Sequence, residues 1–119
     1  MYLIQNDSNR VVTRLRELST LTNPSYLFKF TNGFDTNRII YFTTDNLNDN
    51  CDYELFNIDL NLSTGSTSGG TSVPLSMKNG EWRLEVYEAT AQTTSVSATT
   101  GVVIAQDKVI VGTTKLSTF

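Results

Sequence analysis

Histidine is absent from this chain, and cysteine occurs once, at Cys51. The first absence removes Ser–His and Cys–His nucleophile pairs together with the commonest general base and metal ligand. The second excludes an internal disulfide and a multi-cysteine metal site, and it fits synthesis in a reducing cytoplasm. Charge is also sparse: charged residues make up 18% of the chain, against a usual share of about 25%. Long apolar runs are missing as well. The run Gly101-Val102-Val103-Ile104-Ala105 is far shorter than the ~20 residues of a membrane span, so no bilayer crossing is expected. Met1 to Asp7 lacks a basic stretch followed by a long apolar one, so no export signal is expected. The net charge of −3 and pI of about 4.7 argue against general nucleic-acid binding, which depends on neutralising phosphates with Lys and Arg.

Thr, Ser and Asn supply the missing polarity, a mixture that favours strands and turns over helices. The clearest strand runs from Gly80 to Glu88. Trp82, Leu84 and Val86 alternate with Glu81, Arg83, Glu85 and Tyr87, the period-2 pattern of a strand with one core face and one wet face. Trp82 is the only tryptophan, and its indole N–H needs a partner once buried.

Taken in order, Val11 to Leu18 reads as a strand from its β-branched start, although Leu15 and Leu18 have helical spacing. Asn23-Pro24 marks a turn, and Tyr26, Phe28 and Phe30 then alternate with Leu27, Lys29 and Thr31 as a second clear strand. Asn32-Gly33 opens a hairpin loop in which Gly33 is free to take positive φ, and Arg38 to Thr44 returns as a strand. Asp45 to Asp52 is a turn-rich loop. Tyr53 to Leu60 alternates, with Phe56, Ile58 and Leu60 on one face. Ser63 to Ser72 has nothing to bury and reads as a flexible loop. Val73 to Met77 and the Trp82 strand flank Lys78-Asn79-Gly80 as a hairpin, with Gly80 at the position that needs positive φ. Val102 to Ala105 and Lys108 to Val111 read as two short strands joined near Gln106-Asp107. About seven to nine short strands with no amphipathic helix imply a single domain over residues 1–119, an all-β immunoglobulin-like β-sandwich, with a small β-barrel as the alternative. Loop 63–72 is expected to be flexible, and residues 113–119 form a C-terminal tail.

No catalytic, metal or cofactor residues emerge from these patterns. Glu81 and Glu85 share a face and could be taken for a glycosidase carboxylate pair, but nothing in sequence desolvates them, and they read as solvated positions with Arg83 between. The run Asp45, Asn46, Asn48, Asp49, Asn50, Asp52 offers oxygens of the kind calcium prefers, without the Gly and Glu spacing of an EF-hand. Turn chemistry accounts for it, and whether loop 45–52 takes a cation stays open. Cys51 lies among acids that disfavour a thiolate and reads as incidental. Asn6-Asp7-Ser8 and Asn61-Leu62-Ser63 match the glycosylation pattern and read as chance in the absence of an export signal.

Arg10, Arg14 and Arg16 form a basic stripe, with Arg14 and Arg16 on one face if that segment is a strand. The chain through Phe30 is net +2, leaving −5 for the rest. The stripe could meet an acidic partner or protect an edge strand from unwanted pairing.

The run Leu21 to Asn32, the later Ile40-Tyr41-Phe42, the Gly80 to Glu88 strand and the closing Lys108-Val109-Ile110-Val111 together resemble, in that order, small virion structural proteins of tailed phages infecting Bacteroidetes, including crAss-like phages. The resemblance spans about Val11 to Val111 and is carried by strands and turns. It implies a non-enzymatic auxiliary or decoration protein on the outside of the capsid, made in the host cytoplasm and bound to the major capsid protein or other virion proteins. It implies no cofactor, no nucleic acid and no membrane. Under this reading the docking residues are expected among Arg10, Arg14, Arg16, Leu116 and Phe119. A neck or tail component is one alternative. A carbohydrate-binding or adhesion module is another, in which Tyr41, Tyr53 or Tyr87 would stack on sugar rings.

Overall fold

Strand β8 (Gly80–Ala89), the Trp82 strand, is hydrogen-bonded along most of its length on both sides, to β3 (Ser25–Asn32) and to β9 (Val103–Gly112). The computed structural model describes residues 1–5, 8–22, 24–47, 53–60, 64–67, 72–75 and 77–112. Besides these three strands, the described residues form β1 (Tyr2–Ile4), β2 (Ser8–Thr13), β4 (Ile39–Thr43), β5 (Glu54–Asp59), β6 (Thr64–Ser66) and β7 (Ser72–Pro74), with two 3₁₀ turns, η1 (Leu15–Leu18) and η2 (Val96–Ala98).

The fold is an all-β sandwich, as the strand pattern implies. Seven strands form one sheet in the order β1-β9-β8-β3-β4-β6-β7, antiparallel except for the β1–β9 pair, while β2 and β5 pair antiparallel as a second sheet. The molecule is 21 Å across its thinnest dimension, about what two sheets stacked roughly 10 Å apart require. Division of the strands is unequal, so two strands and a turn cover one face of seven.

That cover works through large side chains. Phe56 on β5 meets Phe28 edge-on, with ring centroids 5.0 Å apart, and Tyr26 at 6.0 Å. Trp82, Leu84 and Val86 of β8, Phe30 of β3, Phe42 of β4, and Val109 and Val111 of β9 complete the wall on the large-sheet side. Ile58 and Leu60 add to the opposite side, and Leu15 of η1 closes one end. The indole N–H of Trp82 donates to the Lys78 carbonyl at 2.9 Å, the partner that its burial demands. At the seam between the sheets, Asn9 stands in for a missing ladder bond. Its amide accepts from Ile4 N–H at 2.9 Å and donates to the carbonyls of Ile4 and Ile58 at 3.0 and 2.9 Å.

Several local expectations are corrected. The strand expected from Val11 to Leu18 ends at Thr13, and η1 follows. Arg14 leaves the extended region at φ −125°, ψ 49°, and the amides after it are taken up by a side chain rather than by a neighbouring strand. The expected hairpin of Val73–Met77 with the Trp82 strand does not form. Strand β7 pairs with β6, because both edges of β8 are already occupied by β3 and β9. The two strands expected at Val102–Ala105 and Lys108–Val111 are one, since β8 provides a continuous partner through Gln106 and Asp107. Within the expected loop 63–72, Thr64–Ser66 and Ser72 are strand residues, and 63 and 68–71 lie outside the described residues. So does the tail 113–119.

Gly80 does take positive φ, at 129°. Gly33 does not. It is needed for close approach, because its N–H donates to the Glu81 carbonyl at 2.8 Å and a β-carbon would lie 2.8 Å from that same oxygen.

Because Phe56 is the aromatic anchor between the sheets and is 1% exposed, Phe56→Ala is expected to cost about 3–5 kcal/mol in urea unfolding. Phe34, 91% exposed at a loop tip, should tolerate the same change within about 0.5 kcal/mol.

Candidate functional site

The chain from Arg14 to Leu21 crosses one end of the sandwich without joining either sheet, so its amides have no ladder to donate to. Two glutamates take that role, and both lie on core-facing positions of strands. Glu54 opens β5 on the same face as Phe56 and Ile58 and is 2% exposed. Its carboxylate accepts from Leu15 N–H at 2.9 Å, Arg16 N–H at 2.6 Å and the Thr13 hydroxyl at 3.3 Å. This seats the start of η1, where free amides collect and negative charge is favoured.

Glu88 continues the Trp82, Leu84, Val86 face of β8 and is 1% exposed. It receives the Thr20 N–H at 3.0 and 3.1 Å, the Thr20 hydroxyl, and the Leu21 N–H at 3.5 Å. Between these clips, the Ser19 hydroxyl lies 2.8 Å from the Tyr26 hydroxyl and 3.0 Å from the Leu15 carbonyl. Burial pushes the Tyr26 phenol up from its ordinary value. For Glu88, burial alone would raise the pKa, but hydrogen bonds from Thr20, Leu21 and Ser19 outweigh it and hold the carboxyl below the usual range.

These carboxylates were not singled out by sequence reasoning, yet the signal was present. The parity that places Trp82, Leu84 and Val86 inside continues to Glu88, and the parity of Phe56, Ile58 and Leu60 begins at Glu54. A glutamate on the core face of an alternating strand requires donors, and here they are main-chain amides. Their oxygens are engaged in holding the fold.

Arg10, Arg14 and Arg16 are all exposed, but Arg14 and Arg16 lie before and within η1 rather than on one strand face. Leu116 and Phe119 lie outside the described residues. Glu81 and Glu85 form ion pairs on the outer face of the large sheet, Glu81 with Lys108 at 3.7 Å and Glu85 with Lys29 at 3.9 Å and Arg83 at 3.7 Å. A shallow groove of about 440 Å³ runs over this face, bordered by Glu81, Arg83, Gln106, Asp107 and Lys108.

Of the expected acidic loop, Asp45 accepts from the Gln92 amide, and Asn46 accepts from Leu55 N–H at 3.0 Å. Residues 48–52, Cys51 included, lie outside the described residues. Among the described residues no three His, Cys, Asp or Glu side chains gather as metal ligands, and no helix is long and apolar enough to cross a membrane. Tyr87, expected to face outward for stacking, is 8% exposed opposite the fully buried Leu27. The ladder is bulged between Val86 and Tyr87, and both faces of β8 are covered at this end. Tyr41 is half-buried.

A scan against protein-family models and searches of curated proteins and of solved structures find no match to this chain. The class that fold and geometry define is an all-β sandwich closed at one end by a turn held on two buried carboxylates.

The folded-state pKa of Glu88 lies below its unfolded value, so its stabilising contribution is full above the ordinary carboxylate pKa and is lost as pH falls through the folded one. Glu88→Gln should therefore be less stable at pH 7 by about 1–3 kcal/mol. Its stability should also fall less steeply on acidification below about pH 5 than that of the unchanged protein. Urea unfolding of both at pH 7 and in mild acid checks the sign.

Proposed function

We propose that this protein is a non-enzymatic virion structural protein of a tailed phage, an auxiliary or decoration protein bound to the outside of the capsid. The observation that carries the reading is the ordered resemblance from about Val11 to Val111, which runs through β3, β4, β8 and β9. The structural role of the chemistry-bearing side chains supports it. Glu54 and Glu88 hold main-chain amides, and Glu81 and Glu85 hold ion pairs. A decoration protein needs a small, firmly closed fold and a face for its partner, and its function rests on contacts rather than on a reacting group. The partner is the major capsid protein or another virion protein. A neck or tail component would have the same fold and differ in copy number. The sugar-binding reading has less support, because of its three candidate tyrosines Tyr87 is buried, Tyr41 is half-buried and Tyr53 alone is exposed.

Quantitative mass spectrometry of purified particles tests this by counting copies of the chain against the major capsid protein. Copies on the order of hundreds are expected for a protein bound across an icosahedral shell. About a dozen would move it to the neck or tail, and complete absence would overturn the virion reading.

A further inference from the structure

The two ends of the sandwich are built differently. Strand β3 runs from Ser25, opposite Ala89, to Asn32, opposite Trp82. Glu88, which clips the turn, lies at the Ala89 end. At the Trp82 end are the loop 33–38, between β3 and β4, and the turn that leads into β8. Both are braced. Five of the six amides from Gly33 to Arg38 are held: Gly33 on the Glu81 carbonyl at 2.8 Å, Phe34 and Asp35 on the Asn32 side-chain oxygen at 2.8 and 2.9 Å, Asn37 on the Asp35 carboxylate at 3.1 Å, and Arg38 on the Asp35 carbonyl at 3.0 Å. Asn32, the post at the centre of the loop, is 8% exposed. In the neighbouring turn the Trp82 indole donates to the Lys78 carbonyl, and the Gln5 amide donates to the Met77 carbonyl and the Asn79 side chain, both at 2.8 Å.

On this base stands Phe34, 91% exposed, whereas the next most exposed large apolar side chains among the described residues, Val12 and Val102, are 63% exposed. A lone apolar side chain in solvent is ordinary. An aromatic ring held in water by a loop this firmly bonded is a different arrangement, because the ring adds little to folding and the ordering of the loop is complete before any partner arrives. We propose that Phe34 is the anchor through which the chain docks on the virion protein that carries it, entering an apolar socket of one-ring size in that partner. This assignment rests on the virion reading given above.

Shape and charge select a protein socket as the occupant. Aromatic anchors seated in a dry pocket and ringed by polar contacts carry most of the binding energy of many protein interfaces, and Phe34 is flanked by exposed Asp35, Thr36, Asn37 and Arg38. Asp35 and Arg38 pair with each other at 3.7 Å, so the rim brings no net charge. A bilayer would require a broader apolar face with basic neighbours, whereas this tip has one ring and the chain is net −3. Docking of this kind depends on burying the ring and only weakly on salt, in contrast to docking through Arg10, Arg14 and Arg16.

Co-sedimentation of the purified chain with phage particles assembled without it is the test. Saturable binding is expected, weakened about 30-fold or more by Phe34→Ala and unchanged by Ile110→Ala, which removes a 38% exposed side chain from the outer face of the large sheet. Binding should change little between about 50 and about 500 mM salt. Particles that bind the unchanged chain and Phe34→Ala equally overturn the anchor and leave the virion reading standing. Particles that bind neither overturn the virion reading and, with it, the partner assigned to Phe34. Binding that is lost at the higher salt, or Phe34-dependent binding to phosphatidylcholine vesicles, also overturns the proposal, the first in favour of charged residues and the second in favour of a lipid anchor. An unchanged melting temperature for Phe34→Ala separates lost docking from lost folding.

Discussion

Irregular backbone enclosed at the end of a sandwich must give its N–H groups to something, and in this protein the acceptors are two buried carboxylates. The large sheet presents more apolar face than two strands can cover, so the chain from Arg14 to Leu21 is drawn across the end, with Leu15 in the core. Out of reach of any ladder, its amides would cost about 1–3 kcal/mol each if left bare. Glu54 and Glu88 take them up from opposite sheets, one from β5 and one from β8. The turn therefore joins the two layers as well as closing them, and the position of β2, which leads into it, depends on the same clips.

Function and fold separate cleanly around this arrangement. Buried Glu54 and Glu88 hold main chain, and Glu81 and Glu85 on the outer face of the large sheet are neutralised by lysine and arginine. Around the small sheet Arg10, Arg14, Val12 and Tyr53 reach solvent. On the reading proposed here, the protein acts by contact: a closed sandwich whose surface meets the particle.

Much of the fold was legible because the alternation in β3, β5 and β8 is strict, and burying Trp82, Phe28 and Phe56 leaves few arrangements open. What was not legible depended on partners distant in sequence. Gln106 and Asp107 resemble a turn by local preference, yet they continue β9 because β8 lies alongside them. Val73 sits near the Trp82 strand in sequence but pairs with Gly65, since β8 has no free edge. The β-branched start of Val11 to Leu18 suggested a longer strand, and only the carboxylate of a residue some forty positions away turns it into η1. Glu54 and Glu88 were readable from parity. What they bind was not, because the amides come from a segment whose path is set by the folded core.

Native-state amide hydrogen exchange at neutral pH tests the central claim most directly. If the two carboxylates hold the end of the sandwich closed, the amides of Leu15, Arg16 and Thr20 will exchange with protection approaching that of Phe28 and Phe30 in the middle of β3. Exchange at these three amides as fast as in an unstructured peptide, with β3 still protected, would contradict it.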